Sequence, residues 1–163
     1  MTIYNFKNRV LISITRPKLK IISKKLTMGI SKLDDLINKV LESTLSSTIE
    51  DLETWINQNV PMLKDETSYP FTIQDNLKRN LRSSRVVKGL SYRIKLGTFI
   101  SRDIITPLNE DLNSPYYHFM ERLIDYACER TRFHLEKKVI HYSSNENIKE
   151  ILSKNLMVVC LKD

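Results

Sequence analysis

The sequence predicts an α+β fold in which two long amphipathic helices pack on one face of a small, mostly antiparallel sheet, with an N-terminal β arm or hairpin. Apolar residues recur at the three-and-four spacing of a helix over residues 31–60 and again over residues 115–139. Apolar and polar residues alternate over residues 4–14 and 90–97, as in strands with one buried face. At 163 residues, the chain has the length of one domain. We therefore expect residues 29–163 to form a single α+β domain.

The N-terminal segment is expected to be extended. Its apolar residues alternate with polar ones up to the Arg16-Pro17 break, and Leu19 and Ile21 alternate with lysines beyond it. Gly29 then provides a hinge before the first long helix. This pattern predicts that residues 1–28 form a basic N-terminal arm or hairpin.

The whole net charge of +7 lies in that segment. It contains no acidic residue, whereas acidic and basic side chains balance in the rest of the chain. The basic residues are Lys7, Arg9, Arg16, Lys18, Lys20, Lys24 and Lys25. One interpretation is an arm attracted to nucleic acid or to an acidic protein surface. The other is an edge hairpin whose lysines merely discourage edge pairing.

Both long helices have recognisable ends in the sequence. Ser31 and Asp34 approximate a capping box at the start of the first helix, and Pro61 prevents its continuation. Such a helix would be about 40 Å long. Ser114 and Pro115 supply an N-cap and a first-turn proline for the second helix.

Between the two helices, residues 72–88 are predicted to form a shorter, strongly basic helix that ends at Gly89. Its basic residues are Lys78, Arg79, Arg82, Arg85 and Lys88. Residues 62–70 and 104–113 have the composition of loops. We expect a short helix over residues 146–153 and a buried strand over residues 156–161, although this closing segment could instead insert into a neighbouring subunit.

The sequence offers little support for catalysis. No glycine-rich phosphate loop or nucleophile elbow is present. His118 and Glu121 have the spacing of one half of a helical di-metal site, but the motif occurs once, so we expect an exposed, salt-bridged helix face. We predict a protein that is not an enzyme and has no catalytic residues, no cofactor and no metal.

The two cysteines, Cys128 and Cys160, are too few for a disulfide framework and lack metal-ligand spacing. We expect both to be small buried hydrophobes in a reducing cytoplasm. No segment has the composition of a secretory signal or of a membrane span, so no membrane association is expected.

Several motifs, taken in order, resemble the small head-to-tail joining proteins of long-tailed bacteriophages, the neck and tail-completion (minor tail protein) family. The opening of the first long helix, Gly-Ile-Ser-Lys-Leu-Asp-Asp-Leu over residues 29–36, looks like the Gly-Leu-Asp-Glu-Leu opening of that family. Val60-Pro61 and the Leu-Arg-Ser-Ser stretch at 81–84 are similar to the family's helix end and its Leu-Arg-x-Ser motif. The strand ending in Gly97-Thr98 and the Tyr-rich stretch at 115–121 complete the resemblance, which covers residues 29–138. The chain departs from the family in its longer stretch at 62–74 and in the insertion before the tyrosines.

The resemblance implies a structural virion protein, assembled in the host cytoplasm, whose copies form a ring around the DNA channel at the head-to-tail junction. It implies contacts with further copies of the chain and with neighbouring head-closure and tail proteins. The alternative hypothesis is a nonspecific nucleic-acid-binding accessory protein that uses the basic arm together with the cluster at 78–88. Under either hypothesis, the expected subunit or phosphate contacts are Lys7, Arg9, Arg16, Lys18, Lys20, Lys24, Lys25, Lys78, Arg79, Arg82, Arg85 and Lys88.

Overall fold

A computed structural model describes residues 3–63, 72–87 and 91–162, with only the backbone of residues 85–87. The predicted mixture of helix and sheet is confirmed. The elements in chain order are β1 (Ile3–Ser13), α1 (Arg16–Leu26), α2 (Ile30–Asn59), α3 (Ile73–Arg82), β2 (Arg85–Val87), β3 (Ser91–Ser101), α4 (Arg102–Glu110), α5 (Phe119–Tyr142), α6 (Glu146–Asn155) and β4 (Met157–Lys162).

The strands form one antiparallel sheet in the order β2-β3-β1-β4. β1 pairs along its whole length with β3, and Val10 lies opposite both Ile94 of β3 and Cys160 of β4. The predicted strand near the N-terminus is therefore present, but the prediction of an arm or edge hairpin is wrong. β1 lies in the interior of the sheet because it pairs with β3 on one side and β4 on the other, and its alternate residues Val10 and Ile12 are fully buried.

The second half of the predicted arm is a helix, α1, rather than a strand. Leu19 and Ile22 are buried, and Leu26 packs against the core beside them, so the apolar repeat is helical. Ile21, which suggested an alternating pattern, is 54% exposed. α1 ends at Leu26, and the C-cap residue Thr27 has the left-handed conformation common at helix C-termini. The helix contacts α2 and α6.

α2 and α5 pack against each other, and both contact the sheet. Thr44 and Thr131 are buried within this helix pair, and each hydroxyl donates a hydrogen bond to the carbonyl four residues earlier in its own helix. α2 ends as predicted before Pro61, but the predicted capping box is wrong. The helix begins at Ile30, with Gly29 at the N-cap position and no side-chain cap.

α3 ends at Arg82, so the helix predicted over residues 72–88 is too long, and residues 85–87 form strand β2 instead. Its start has a true capping box between Thr72 and Asp75. Buried Gln74 donates from Nε2 to the carbonyl oxygens of Ile56 and Val60 at 3.1 and 3.3 Å. This amide fastens α3 to the C-terminal end of α2. Gly89, the predicted helix terminator, and the polar stretch at 64–71 lie outside the described residues.

The C-terminal half differs from the prediction in three respects. Part of the loop predicted over residues 104–113 is helix α4, because Ile105 is buried and holds this segment against the core despite Pro107. α5 begins at Phe119, after His118 in the left-handed conformation, rather than at residue 115. Cys128 and Cys160 form a disulfide that joins α5 to β4, so the expectation of two free thiols is wrong.

The C-terminal elements α6 and β4 correspond to the predicted helix and strand. The residues of β4 are half-buried or exposed rather than buried as predicted. The physical reason is its place at the side of the sheet, where β1 is its neighbour within the described chain.

Candidate functional site

The two faces of the sheet differ in chemistry. Even-numbered residues of β1 and β3 in the middle of the sheet, such as Ile12 and Ile94, are buried in the core. Because side chains alternate along a strand, the odd-numbered residues lie on the opposite face, which we call the outer face. Lys7 and Arg9 of β1 share the outer face with Arg93 and Lys95 of β3. The outer face of the two central strands is therefore basic.

A cleft of about 390 Å³ lies over this part of the outer face and is called the outer-face cleft below. Of the described residues that line it, four are basic and none is acidic. They are Asn5, Phe6, Lys7, Asn8, Arg9, Asn80, Arg93, Lys95, Leu96, Gly97, Thr98 and Phe99. Positive charge is concentrated here in a concavity, where a bound anion would be partly shielded from water.

The strand register places like charges side by side. Arg9 lies directly opposite Lys95, and Arg93 lies opposite Leu11, one pair further along. Like charges at directly opposed positions destabilise a sheet. The Nε atom of Arg93 is also shielded from solvent and makes no hydrogen bond to any described residue. Repulsion between like charges and an Arg93 Nε–H without a described acceptor both lower stability. A bound anion would reduce the repulsion and accept a hydrogen bond from Arg93.

Gly97 forms part of the cleft lining. A Cβ atom at this position would overlap with the carbonyl oxygen of Phe6 on the neighbouring strand. β1 and β3 approach each other closely at this pair, so the position has no room for a side chain.

The end of α3 forms one side of the cleft and covers part of the free edge of β3. The Asn80 side-chain amide donates to the carbonyl oxygen of Gly97. The backbone N–H of Lys95 donates to Ser84 Oγ at 2.8 Å. β2 pairs with only three residues of β3. Further along β3, the side chains of Asn80 and Ser84 form hydrogen bonds with backbone groups that no described strand pairs.

The twelve contact residues predicted from the sequence are distributed over several surfaces. Lys7 and Arg9 line the outer-face cleft, whereas Lys88 lies outside the described residues. Arg85 lies opposite Arg93 in the register of β2 and β3. The others lie on two helices: Arg16, Lys18, Lys20, Lys24 and Lys25 on α1, and Lys78, Arg79 and Arg82 on α3.

Sequence reasoning missed Arg93 and Lys95 as site residues. Each was recognised as part of the polar half of an alternating strand, which by itself indicates only a solvated face. The pattern that could have indicated them is that the polar residues of β1 include Lys7 and Arg9, so that two strands each have a basic polar face. It becomes informative only when the two strands are known to be neighbours.

A second cluster of ionisable groups joins α2 to α5. Asp51 Oδ2 accepts hydrogen bonds from Arg130 Nε at 2.8 Å and from His134 Nε2 at 2.6 Å. Burial raises the pKa of Asp51, but the hydrogen bonds from His134 and Arg130 and the Arg130 charge outweigh it, so the pKa lies below its ordinary value. We interpret this cluster as a structural link between the two long helices.

The predicted pairing of His118 with Glu121 is confirmed, with Nδ1 and Oε2 3.4 Å apart and side chains that are 40% and 50% exposed. Within the ranges the structure describes, no group of three or more His, Cys, Asp or Glu side chains is placed to hold a metal ion. The pair joins the N-cap residue of α5 to the first turn of that helix.

The sheet also has unpaired strand edges. β4 covers one side of β1 only over residues 8–13. Beside residues 3–7 of β1, and along the far edge of β4, no strand of the described chain is hydrogen-bonded. Met157 and Ile3, at these edges, are 50% and 46% exposed. Open edges that carry exposed apolar side chains are places where another strand can add.

Two further findings concern the chain as a whole. Among the described helices, none is both long enough and apolar enough to cross a membrane. Comparisons with protein-family models, with curated proteins and with solved structures found no match.

Proposed function

We propose that this chain is a structural, non-enzymatic assembly protein of the phage head-to-tail joining type, whose copies form a ring around the DNA channel. The observation that carries the proposal is the slot beside residues 3–7 of β1, where β4 stops and one edge of the strand has no described partner. The slot is about 17 Å long, which suits a strand of about five residues from a neighbouring copy.

Strand addition supports a ring for two physical reasons. Main-chain hydrogen bonds supply affinity without demanding a particular sequence, and the exposed Ile3 supplies apolar area beside the slot. Met157, opposite Ser13 at the other end of β1, supplies apolar area on the open edge of β4. A strand donated by one copy to the slot of the next uses two different surfaces, and such heterologous contacts close into rings when the rotation permits. In this proposal, α2 and α5 form the helical layer on one face of the sheet and leave this edge for assembly.

In this role, the partners are further copies of the chain and neighbouring head-closure and tail proteins, and the location is the virion after assembly in the host cytoplasm. The test is the mass in solution, measured by light scattering across protein concentration. We expect the wild type to form a discrete oligomer, because the edges of free copies pair as concentration rises.

The variant Ile3→Lys/Met157→Lys places charges on the open edges, which is how natural sheets prevent edge pairing. We expect it to be monomeric. Ile21→Lys is the matched control, because it makes the same change at an apolar residue of similar exposure on α1, away from the sheet. A wild type that stays monomeric at all concentrations, or a control that loses oligomers equally, would overturn the proposal.

The second candidate is a nonspecific nucleic-acid-binding accessory protein. It is favoured by α1, which carries five basic residues and no acidic one. Because β1 is an interior strand, deleting residues 1–28 would remove part of the core, so substitutions on α1 are the suitable test. A strict monomer whose mass increases only when DNA is added, and decreases again as salt rises, would support this candidate over assembly.

A further inference from the structure

We propose that the outer-face cleft is a binding site for an extended single strand of nucleic acid, with its phosphates on Lys7, Arg9, Arg93 and Lys95. The proposal does not depend on ring assembly and concerns residues that the basic helices α1 and α3 do not contain.

The first argument is the arrangement of charge. The four cations come from strands that are neighbours in the sheet, and no acidic residue is among the described residues that line the cleft. Arg9 and Lys95 occupy opposed positions in the register, where like charges repel each other. Arginine is suited to such a site because its planar group can bind two phosphate oxygens at once.

The second argument is size. Neighbouring strands are about 4.8 Å apart, and residues two apart on one strand are separated by about 7 Å. The backbone positions of neighbouring basic residues in the cleft are thus closer together than the ≈ 12 Å width of the major groove of a DNA duplex. The patch is therefore of a size to contact successive phosphates of one strand and does not span the major groove of a duplex.

The third argument is that the cleft contains side chains that can bind nucleobases. Phe99 lines the cleft and is 48% exposed, so its ring is accessible to a base. Aromatic rings in basic grooves bind single strands by stacking, which tolerates any sequence. Asn5, opposite Phe99 in the register, lines the same cleft and has an amide that can donate to or accept from a base. The aspartate and glutamate side chains of an acidic peptide have no aromatic face to stack on this ring.

The experiment measures binding of fluorescein-labelled thirty-residue oligothymidine to the full chain by fluorescence anisotropy from 50 to 300 mM salt. With three to four phosphate contacts, log K should fall against log salt with a slope between about −2 and −3. Arg93→Gln/Lys95→Gln should weaken binding about tenfold or more and make the slope shallower by about 1.4. Lys20→Gln/Lys24→Gln removes the same charge from exposed positions of α1 and should change affinity less than threefold.

A second pair of variants guards against misfolding. Lys7→Gln and Phe99→Leu alter exposed lining residues, so the core stays intact. The first should reduce the slope by about 0.7, and the second should weaken binding about fivefold or more at unchanged slope. The thermal midpoint of Lys95→Gln should equal or exceed that of the wild type, since the substitution removes repulsion with Arg9.

Several results would overturn the inference. One is the absence of binding at 50 mM salt, and another is equal weakening by the cleft and α1 pairs. Equal affinity for a thirty-base-pair duplex, or competition by polyglutamate as effective as that by unlabelled oligothymidine, would show that the cleft does not select a single strand. A cleft variant that loses self-association but not oligothymidine binding would assign the face to a second copy of the chain.

Discussion

Replacing Gly97 with alanine is expected to destabilise the sheet at its centre. The added Cβ would overlap with the carbonyl oxygen of Phe6, which belongs to backbone and cannot move aside as a flexible side chain can. β1 and β3 must therefore separate locally where Gly97 pairs with Lys7. The cost is steric, because glycine is required here by the overlap alone. The backbone of Gly97 is not in the left-handed conformation.

The magnitude follows from three contributions. Overpacking costs about 1–3 kcal/mol, and weakening one or two ladder hydrogen bonds adds about 0.5–1.5 kcal/mol each. The stiffer unfolded chain of the alanine variant offsets about 0.4–1 kcal/mol. We therefore expect a net loss of about 2–3 kcal/mol in the free energy of unfolding, equivalent to a fall in Tm of about 5–10 °C for a chain of this size.

Urea unfolding followed by circular dichroism measures this loss. Ser91→Ala is the matched control, because Ser91 lies on the same face of the same strand and loses only a hydroxyl. The control should stay within about 0.5 kcal/mol of the wild type. A Gly97→Ala variant as stable as the control would refute the close approach of the two strands.

Two further predictions concern links between helices. At pH 7, Asp51→Asn should lower the free energy of unfolding by about 1 kcal/mol, since the bonds from Arg130 and His134 lose their anionic acceptor. Because the folded pKa of Asp51 is lowered, its contribution is present above the unfolded pKa and disappears as pH falls through the folded pKa. Urea unfolding from pH 7 to pH 3 should therefore show the two proteins converging below about pH 4, and a constant difference would contradict the assigned interaction. Gln74→Leu should cost about 1–3 kcal/mol in the same assay, because the carbonyls at the end of α2 lose a buried donor; a loss below about 0.5 kcal/mol would show that water replaces the amide.

Local patterns in the sequence were sufficient to predict the elements with long, regular periodicity. The stripes of α2 and α5 and the alternation in β1 and β3 predicted those four elements, because each pattern follows directly from local geometry. α1 was mistaken for a strand because Leu19 and Ile21 alternate by chance. The apolar residues of α1 that are buried are Leu19 and Ile22, which have the spacing of a helix. Their burial depends on the contacts of α1 with α2 and α6, which the local sequence does not indicate.

The candidate site was only half predictable. Lys7 and Arg9 were recognised from the charge of the N-terminal segment, but their neighbours Arg93 and Lys95 belong to a strand far away in the sequence. Strand partners and register depend on tertiary packing, and a single sequence with no internal repeat carries little signal for them. The disulfide between Cys128 and Cys160 escaped prediction for the same reason, since it depends on β4 lying beside α5.

The interior position of β1 has a consequence for how the chain folds. Ile3 pairs with Ser101 and Asn8 pairs with Lys162, so both partners of β1 lie far away in the sequence. β1 can complete its pairing only after those residues have been synthesised. During synthesis, β1 therefore remains without either neighbour while α1, α2 and α3 emerge after it. Such non-local pairing gives a high contact order and slow folding, and it leaves an apolar strand exposed to aggregation in the meantime. The lysine and arginine on β1 would then act earliest as gatekeepers that keep the nascent strand soluble.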